Sequence, residues 1–128
     1  MAGVLVDTSI IIDFLRQNGD HKKTLLYLAE SQHELYASIL THAESYAGKS
    51  VWEKKSAKEK LEKVFSNIKI LYLDEDLSQK AGEISAQYKL EIVDAIIAAT
   101  AMHHKLHLAT LNIKDFKKIK GIMLFAKK

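Results

Sequence analysis

Apolar residues along the chain fall into short continuous runs and helical spacings, which predicts alternating β-strands and α-helices. The short runs, predicted to be buried strands, are residues 4–7, 33–38, 68–73, 107–110 and 122–125. The segments with helical spacing are residues 8–17, 21–30, 39–48, 51–65, 74–89 and 93–104, with a loop or short helix at 112–119. Asn18 and Gly19 separate the first two helices. This alternation favours an α/β fold with a parallel sheet and right-handed crossovers.

Two of the predicted helices differ in how their polar residues are arranged. The helix at 93–104, "VDAIIAATAMHH" from Val93, is apolar on nearly all sides, so we expect it to be the buried central one. The helix at 51–65 is amphipathic, and its lysine-rich face is interpreted as a solvated surface. Trp52 and Tyr46 lie near Gly48, which closes the preceding helix, and form either a partner-binding surface or the edge of the core.

The composition is that of one globular domain, residues 1–128. The hydrophobic share of 48% and the charged share of 27% are ordinary for a globular protein. The absence of cysteine excludes disulfides and cysteine-based zinc sites, and no apolar run approaches the roughly 20 residues that span a bilayer. The N-terminal apolar run lacks a basic flank and contains Asp7, which argues against a signal peptide. We therefore expect a cytoplasmic protein with no membrane partner.

The charge balance is mildly basic. The formal net charge is +3, and it comes almost entirely from lysine, because Arg16 is the only arginine. This excess is compatible with a nucleic-acid partner but does not establish one, since lysine also increases solubility.

Several acidic or amide side chains interrupt apolar segments or follow the ends of strands. Asp7 closes the first strand, and Asp94 begins the most apolar helix. Asn112 and Asp115 come just after the fourth strand. In a parallel α/β sheet the functional cleft lies beyond the carboxyl ends of the strands, so we expect these side chains to meet at one edge.

Glu44 is the acidic residue of a further helix, the one that follows the second strand. Helical spacing places it on one face with Leu40 and Ala47. We expect that face to point inward, which would bring Glu44 to the same edge of the sheet.

Each acid, taken alone, also has a local explanation. Asp7 and Asp94 can cap the helices that follow them, which stabilises a helix by about 1 kcal/mol. Glu44 can be half exposed, and Asp115 can begin a short helix.

Separate local roles give no reason for the four acids to converge, however. Converging carboxylates repel one another by about 4 kcal/mol per close pair, which protonation or a divalent cation relieves. Oxygen-only ligands select hard ions, Mg²⁺ or Mn²⁺.

Four motifs, "DTSIIID", "THAE", "VDAIIAATA" and "TLNIKDF", occur in an order and spacing that resemble those of the PIN-domain ribonucleases. More narrowly, the chain is similar to the VapC toxins of bacterial and archaeal toxin–antitoxin pairs, over essentially its whole length. The resemblance implies a PIN-like three-layer α/β/α sandwich with a sheet of four or five parallel strands. It also implies an endoribonuclease directed at single-stranded RNA, with Mg²⁺ or Mn²⁺ in an acidic cleft.

The resemblance assigns roles to the polar residues. Asp7, Glu44 and Asp94 match the first three acids of the family pattern. Asp7 and Asp94 are expected to hold the metal, and Glu44 to contribute to it and to orient or deprotonate a water molecule. At the fourth place the chain has Asn112, where many relatives carry aspartate, and Asn112 is expected to be the remaining metal ligand. Asp115, three residues later, is expected to join the catalytic set as the alternative source of the missing charge, and which of the two completes the acidic site is left open by the sequence.

The same resemblance implies contacts with substrate and partners. Thr8, Ser9 and Thr110 offer hydroxyls for water or phosphate oxygens, although capping explains them equally well, and Lys114 is placed to attract the phosphate backbone. A small antitoxin is expected to wrap the helical face and set a basic side chain over the acids. We also expect a homodimer, because the first helices carry more apolar surface than one core requires.

Other functions remain open from the residues alone. A receiver-type signalling domain also places aspartates at strand ends, but here the acids of "LYLDED" are typical of a helix start. A PIN-like module that binds RNA or a partner without cutting is consistent with Asn112. His103 and His107 have the spacing of a metal site on a continuous helix, but a predicted turn between them removes that register.

Overall fold

A computed structural model of the chain describes residues 3–16 and 24–125, and its four strands form one parallel sheet. The strands are β1 (Gly3–Val6), β2 (Glu34–Ser38), β3 (Lys69–Leu71) and β4 (His107–Ala109). They lie in the order β3-β2-β1-β4, and every neighbouring pair is parallel. The helices are α1 (Thr8–Leu15), α2 (Thr24–Glu30), α3 (Ile39–Ser45), α4 (Lys49–Glu53), α5 (Lys55–Phe65), α6 (Glu75–Tyr88), α7 (Ile92–His103) and α8 (Ile113–Phe116).

Helices cover both faces of the sheet, which confirms the three-layer α/β/α arrangement. Successive residues of β1 point to opposite faces: Val4 and Val6 belong to a core cluster with residues of α1, α2 and α5, whereas Leu5 belongs to a second cluster with α6 and α7. All three side chains are fully buried. As expected from its apolar sequence, α7 is the central helix, and it is buried continuously from Ala95 to Ala101.

Two predicted strands are reduced in the structure. The strand at 122–125 is reduced to a single bridge between Leu124 and Leu108, held by two backbone hydrogen bonds of 2.8 Å. The strand at 68–73 is shorter, since only Lys69–Leu71 pairs with β2. The predicted break at residues 18–19 lies outside the described residues.

The lysine-rich helix predicted at 51–65 is two helices. Lys54 has extended backbone angles (φ −123°, ψ 119°), so α4 ends at Glu53 and α5 begins at Lys55. The residues around the break are good helix formers, and only the tertiary structure reveals it. The bend allows Val51 and Leu61, one from each helix, to enter the same core cluster.

The sheet brings residues from distant parts of the chain to one edge. Val6 pairs with Ala109 in the β1–β4 register, and the Asp7 amide donates to the Ala109 carbonyl oxygen at 3.1 Å. Asp7 and Thr110, which follow these residues, therefore lie side by side. α3 starts directly after β2 and packs against both α1 and α7. None of the described helices has the length and apolarity needed to cross a bilayer.

Candidate active site

Asp7 is the buried centre of the acidic edge. It is only 3% exposed and is the N-cap of α1, so its predicted capping role is confirmed. Its Oδ1 accepts hydrogen bonds from the Ser9 amide (2.9 Å), the Ser9 hydroxyl (2.5 Å) and the Ile10 amide (3.4 Å). Its Oδ2 accepts from the Thr110 hydroxyl at 2.5 Å. Burial raises the pKa of Asp7, against the lowering effect of the hydrogen bonds from Ser9, Thr110 and Ile10.

The two hydroxyls that hold Asp7 also organise the loop after β4. The Ser9 hydroxyl oxygen accepts from the Leu111 amide at 3.0 Å, and the Thr110 hydroxyl oxygen accepts from the Asn112 amide at 2.9 Å. Each hydroxyl proton is directed at the Asp7 carboxylate. In this arrangement Ser9 and Thr110 position the acid and its loop, and their predicted contact with substrate phosphate stays a prediction.

Glu44 reaches the site from α3 along the protein surface. The Thr8 hydroxyl donates to its Oε1 at 2.5 Å and lies 3.3 Å from the Thr41 hydroxyl. The prediction that Glu44 lies on an inward face with Leu40 and Ala47 is wrong, because Glu44 and Ala47 are exposed and Leu40 is only half-buried.

The inward face of α3 is polar instead. Its buried residues are Thr41 and Ser45, and the Ser45 hydroxyl donates to the Thr41 carbonyl oxygen at 2.7 Å. Because this bond is internal to the helix, Ser45 can be buried without an external polar partner, whereas Thr41 has the Thr8 hydroxyl of α1 at 3.3 Å. The hydrophobic pattern therefore predicted the wrong side of α3 as the core side.

Asp94 is the half-buried acid in the first turn of α7. One local explanation required Asp94 to be the N-cap of α7, and this is wrong. The N-cap is Glu91, whose side chain makes no capping hydrogen bond. Among the described residues nothing forms a hydrogen bond or ion pair with the Asp94 carboxylate. Burial raises the pKa of Asp94, and the negative charges of Asp7, Glu91, Glu44 and Asp115 raise it further.

The acids that act on Asp94 come from separate elements. Asp7 precedes α1, Glu44 is on α3, and Asp115 is on α8, so charges far apart in sequence act on one carboxylate. Glu91 was missed by the sequence analysis. Its signal was the spacing of three residues to Asp94, which places both near one face at the start of α7.

The segment after β4 is a short exposed helix with one anchor. Asn112 is the N-cap of α8 without a side-chain capping bond, and Asn112, Lys114 and Asp115 are all exposed. Phe116 is fully buried and fixes α8 to the core cluster that also contains α7. Asp115 lies within α8 but does not begin it as its local explanation required, because the helix begins at Ile113. Its charge acts on Asp94.

The donor chemistry at this edge fits a divalent cation. Asp7, Glu44, Asp94, Asp115 and Asn112 offer only oxygen ligands, which hard cations prefer. A cation between the acids would offset the repulsion that raises the pKa of Asp94. Within residues 3–16 and 24–125, however, no three acidic or histidine side chains are drawn together as a metal-binding group. The Asp7 and Glu44 carboxylates are held by hydroxyl groups instead.

The turn predicted between His103 and His107 is confirmed. α7 ends at His103, Lys105 adopts left-handed backbone angles (φ 57°), and His107 is already in β4. The two histidines are therefore not on one helix face.

Comparisons with known proteins agree with this architecture. The profile of the family described as PIN domain matches residues 4–122. Ribonuclease VapC19 of Mycobacterium tuberculosis is 31% identical over 117 residues, which cover 88% of this chain and 90% of that protein. A toxin–antitoxin complex from Klebsiella pneumoniae contains a chain with 29% identity and a TM-score of 0.74, covering 94% of this chain and 95% of the other. DNA-bound VapBC from Salmonella typhimurium superposes with a TM-score of 0.81 at 21% identity, covering 98% of each chain, and shows the shared fold.

Proposed function

The chain belongs to the PIN-domain family, and from that premise we propose that it is an endoribonuclease, the toxin of a toxin–antitoxin pair, which hydrolyses phosphodiester bonds in RNA with a divalent metal ion. The observation that carries the proposal is the setting of Asp94. Among the residues that the structure describes, its half-buried carboxylate has no hydrogen-bond or ion-pair partner, and burial and the charges of Asp7, Glu91, Glu44 and Asp115 raise its pKa. A cation and a phosphate are the groups that such a pocket is suited to hold.

We assign the metal as Mg²⁺ or Mn²⁺, held by Asp7 and Asp94 with contributions from Glu44 and Asn112. When bound, such an ion supplies a more acidic water molecule and offsets negative charge on the attacked phosphate. The support for this ligand set is its oxygen-only chemistry, the Thr110 hydroxyl that links Asp7 to the Asn112 amide, and the charges of Asp7 and Glu44 that act on Asp94.

The chain's own residues carry the rest of the reaction. Glu44 accepts the proton of the attacking water, and the Thr8 hydroxyl fixes the orientation of its carboxylate. Ser9 and Thr110 hold the Asp7 carboxylate from both sides. Asp115 adds the charge that Asn112 does not supply.

We further propose that the exposed Lys114 attracts the RNA backbone. It lies on α8, next to Asp115, so a phosphate it attracts is brought to the acidic edge. An ammonium group suits this role because it acts as a point charge that does not require a fixed geometry.

A receiver-type function has no support in the acids after β3. Asp74 accepts a hydrogen bond from the Leu77 amide at 2.8 Å and is the N-cap of α6. Its carboxylate therefore has the local role that the sequence indicated.

The antitoxin partner has a candidate surface on the opposite side from α7. A groove of about 380 Å³ is lined mainly by apolar side chains of α1, α2 and α5, with Lys60 and Lys63 at its border. We propose that an antitoxin segment with apolar and acidic side chains occupies it. Leu26, which is 42% exposed in this groove, tests the assignment: Leu26→Asp should weaken the complex with the cognate antitoxin and preserve nuclease activity. Leu73→Asp, at an exposed leucine outside the groove, is the control.

Homodimerisation stays a proposal. It is supported by apolar surface on α1, where Ile12 is 38% exposed. Sedimentation of the purified chain decides it, and a monomer at micromolar concentration would contradict it.

The nuclease is tested with purified protein, single-stranded and structured RNA, and Mg²⁺ or Mn²⁺. We expect cleavage that EDTA abolishes and that Asp7→Asn abolishes independently. Cleavage that survives both treatments would come from a contaminating enzyme. If no RNA is cut under any condition, the binding-module alternative is the better description of the protein.

A further inference from the structure

The only tryptophan of the chain lies on the surface. Trp52 is 63% exposed on α4, so most of its apolar ring is in contact with solvent. Its indole Nε1 donates to the Tyr46 carbonyl oxygen at 2.7 Å. The bond fixes the direction of the ring without burying it. An exposed aromatic side chain held in this way is suited to contact a flat ligand.

An aromatic cluster beneath Trp52 makes its support rigid. The Tyr46 ring lies 6.1 Å from the Trp52 ring and stacks on Phe65 at 6.2 Å. The His42 ring contacts both Tyr46 and Phe65 at 4.8 Å. These rings join α3, α4 and α5, so Trp52 is presented by three packed helices and not by a free loop.

Lysines flank this tryptophan along the sequence. Residues 49–63 contain six lysines and three glutamates, a net charge of +3 for this segment. Lys58 Nζ lies 5.4 Å from the Trp52 ring centroid. Lys54 and Lys55, both exposed, occupy the bend between α4 and α5. Basic side chains interleaved with an exposed aromatic are typical of single-strand nucleic-acid surfaces.

This surface is connected to the acidic site through α3. Trp52 is bonded to the carbonyl group of Tyr46, which is two residues after Glu44. The same helix, α3, therefore carries the predicted general base and supports the tryptophan. A strand of RNA that leaves the acidic edge along α3 would run toward the indole.

We propose that Trp52 with Lys54, Lys55 and Lys58 forms a platform for single-stranded RNA outside the acidic site. The indole stacks on an unpaired base, and the lysines contact the phosphates that flank it. The platform deepens the proposed nuclease function and rests on it. It holds RNA in place and leaves the hydrolytic step to the acids, so removing it raises KM and leaves kcat unchanged.

Binding is measured without cleavage, in an Asp7→Asn background, with a short labelled unpaired oligoribonucleotide. Because Trp52 is the only tryptophan, its fluorescence reports the site directly, and we expect RNA to quench it. Trp52→Ala should weaken binding about tenfold, in line with the strength of base–aromatic stacking. Trp52→Phe keeps an aromatic face and should retain binding within about threefold.

Charge is tested by a matched pair of double variants. Lys54→Glu with Lys55→Glu should weaken RNA binding and make it less dependent on salt. The slope of the logarithm of the binding constant against the logarithm of the salt concentration should become shallower by about 0.7 for each phosphate that the lysines no longer neutralise. Lys80→Glu with Lys105→Glu makes the same change in net charge near the carboxyl end of α7, at the other end of that helix from Asp94. This control should bind RNA as the parent does.

The outcomes separate this inference from the nuclease assignment. The platform is overturned, and the nuclease stands, if the unmodified protein cleaves RNA while RNA does not quench Trp52 fluorescence and Trp52→Ala binds RNA unchanged. Quenching and Trp52-dependent binding without any cleavage support the platform and contradict the nuclease. Loss of antitoxin binding with unchanged RNA binding in the Trp52 and lysine variants assigns the surface to a protein partner and overturns the inference.

Discussion

The hydroxyl of Thr110 donates a 2.5 Å hydrogen bond to Oδ2 of Asp7, two residues that are 103 positions apart in the sequence. The same hydroxyl oxygen accepts from the Asn112 amide. One side chain thus fixes the central acid and the loop that carries the last residues of the site. The acidic edge depends on this closure between β1 and β4 as much as on the acids themselves.

Replacing Thr110 by valine tests the positioning role. Thr110→Val keeps the shape but leaves Oδ2 of Asp7 and the Asn112 amide without their partner. Groups that orient metal ligands in this way are worth about 10- to 100-fold in metal affinity or activity. We expect a loss of that size in RNA cleavage, with an increase in the metal concentration needed for half-maximal activity.

Thr100→Val is the matched control. Thr100 is also buried and also donates a side-chain hydrogen bond, but to the Ile96 carbonyl oxygen within α7. It should keep nearly full activity at saturating metal. Equal losses in both variants would mean that valine acts through general destabilisation, not through Asp7.

Glu44→Gln tests the general base. Glu44 is exposed, and the Thr8 hydroxyl can donate equally well to a glutamine oxygen, so we expect the fold to be unchanged. General-base catalysis contributes about 10²- to 10⁴-fold, and kcat should fall within that range in single-turnover cleavage. Glu59→Gln, an exposed glutamate of α5, is the control. Activity of Glu44→Gln within twofold of the parent would place the base elsewhere.

The sequence was sufficient to predict the parallel strands and that Asp7 lies at the same edge as the residues after β4. Asp7 stands out because a carboxylate at the end of a buried run is costly without a partner. Asp94 stands out because it begins the most apolar helix. Parallel strand order then places the ends of β1 and β4 together. These predictions depend on local hydrophobicity and on topology, both of which the sequence contains.

The orientation of α3 could not be predicted in the same way. Its buried residues, Thr41 and Ser45, are polar, and the Ser45 hydroxyl is satisfied within the helix. A pattern of hydrophobic residues does not register such a face, so Glu44 was assigned to the core side. The break at Lys54 was missed for a related reason: the local sequence favours a continuous helix, and tertiary packing overrides it.

Phe116→Ala tests how the last part of the site is held. Phe116 is fully buried, whereas Asp115 before it is exposed. Truncating a buried phenylalanine costs about 3–5 kcal/mol of unfolding free energy, which chemical denaturation measures. Phe116→Leu fills more of the space and should cost less. A Phe116→Ala protein as stable as the parent would show that α8 is not anchored by this ring.

Asp94→Asn should raise the stability of the metal-free protein at neutral pH while it abolishes cleavage. The pKa of Asp94 in the folded protein is raised above its ordinary value of 3.8 by burial and by its acidic neighbours. The folded state therefore disfavours the charged form. Below pH 3.8 Asp94 is protonated in both the folded and the unfolded state, so it does not lower the free energy of unfolding. As pH rises through the folded pKa the charged form destabilises the folded state, and the full cost is present above that pKa.

Asparagine stays neutral at every pH, so the advantage of Asp94→Asn should be present at pH 7 and should shrink as pH falls toward 3.8. Thermal melts in EDTA across this interval measure it. Divalent metal should make the parent more stable than Asp94→Asn. An ion at a hundred times its dissociation constant adds about 2.7 kcal/mol to the free energy of unfolding of a protein that binds it only when folded. The gain should be large for the parent and small for Asp94→Asn. A parent protein that is already the more stable of the two in EDTA at pH 7 would contradict a pKa of Asp94 raised by burial and by its acidic neighbours.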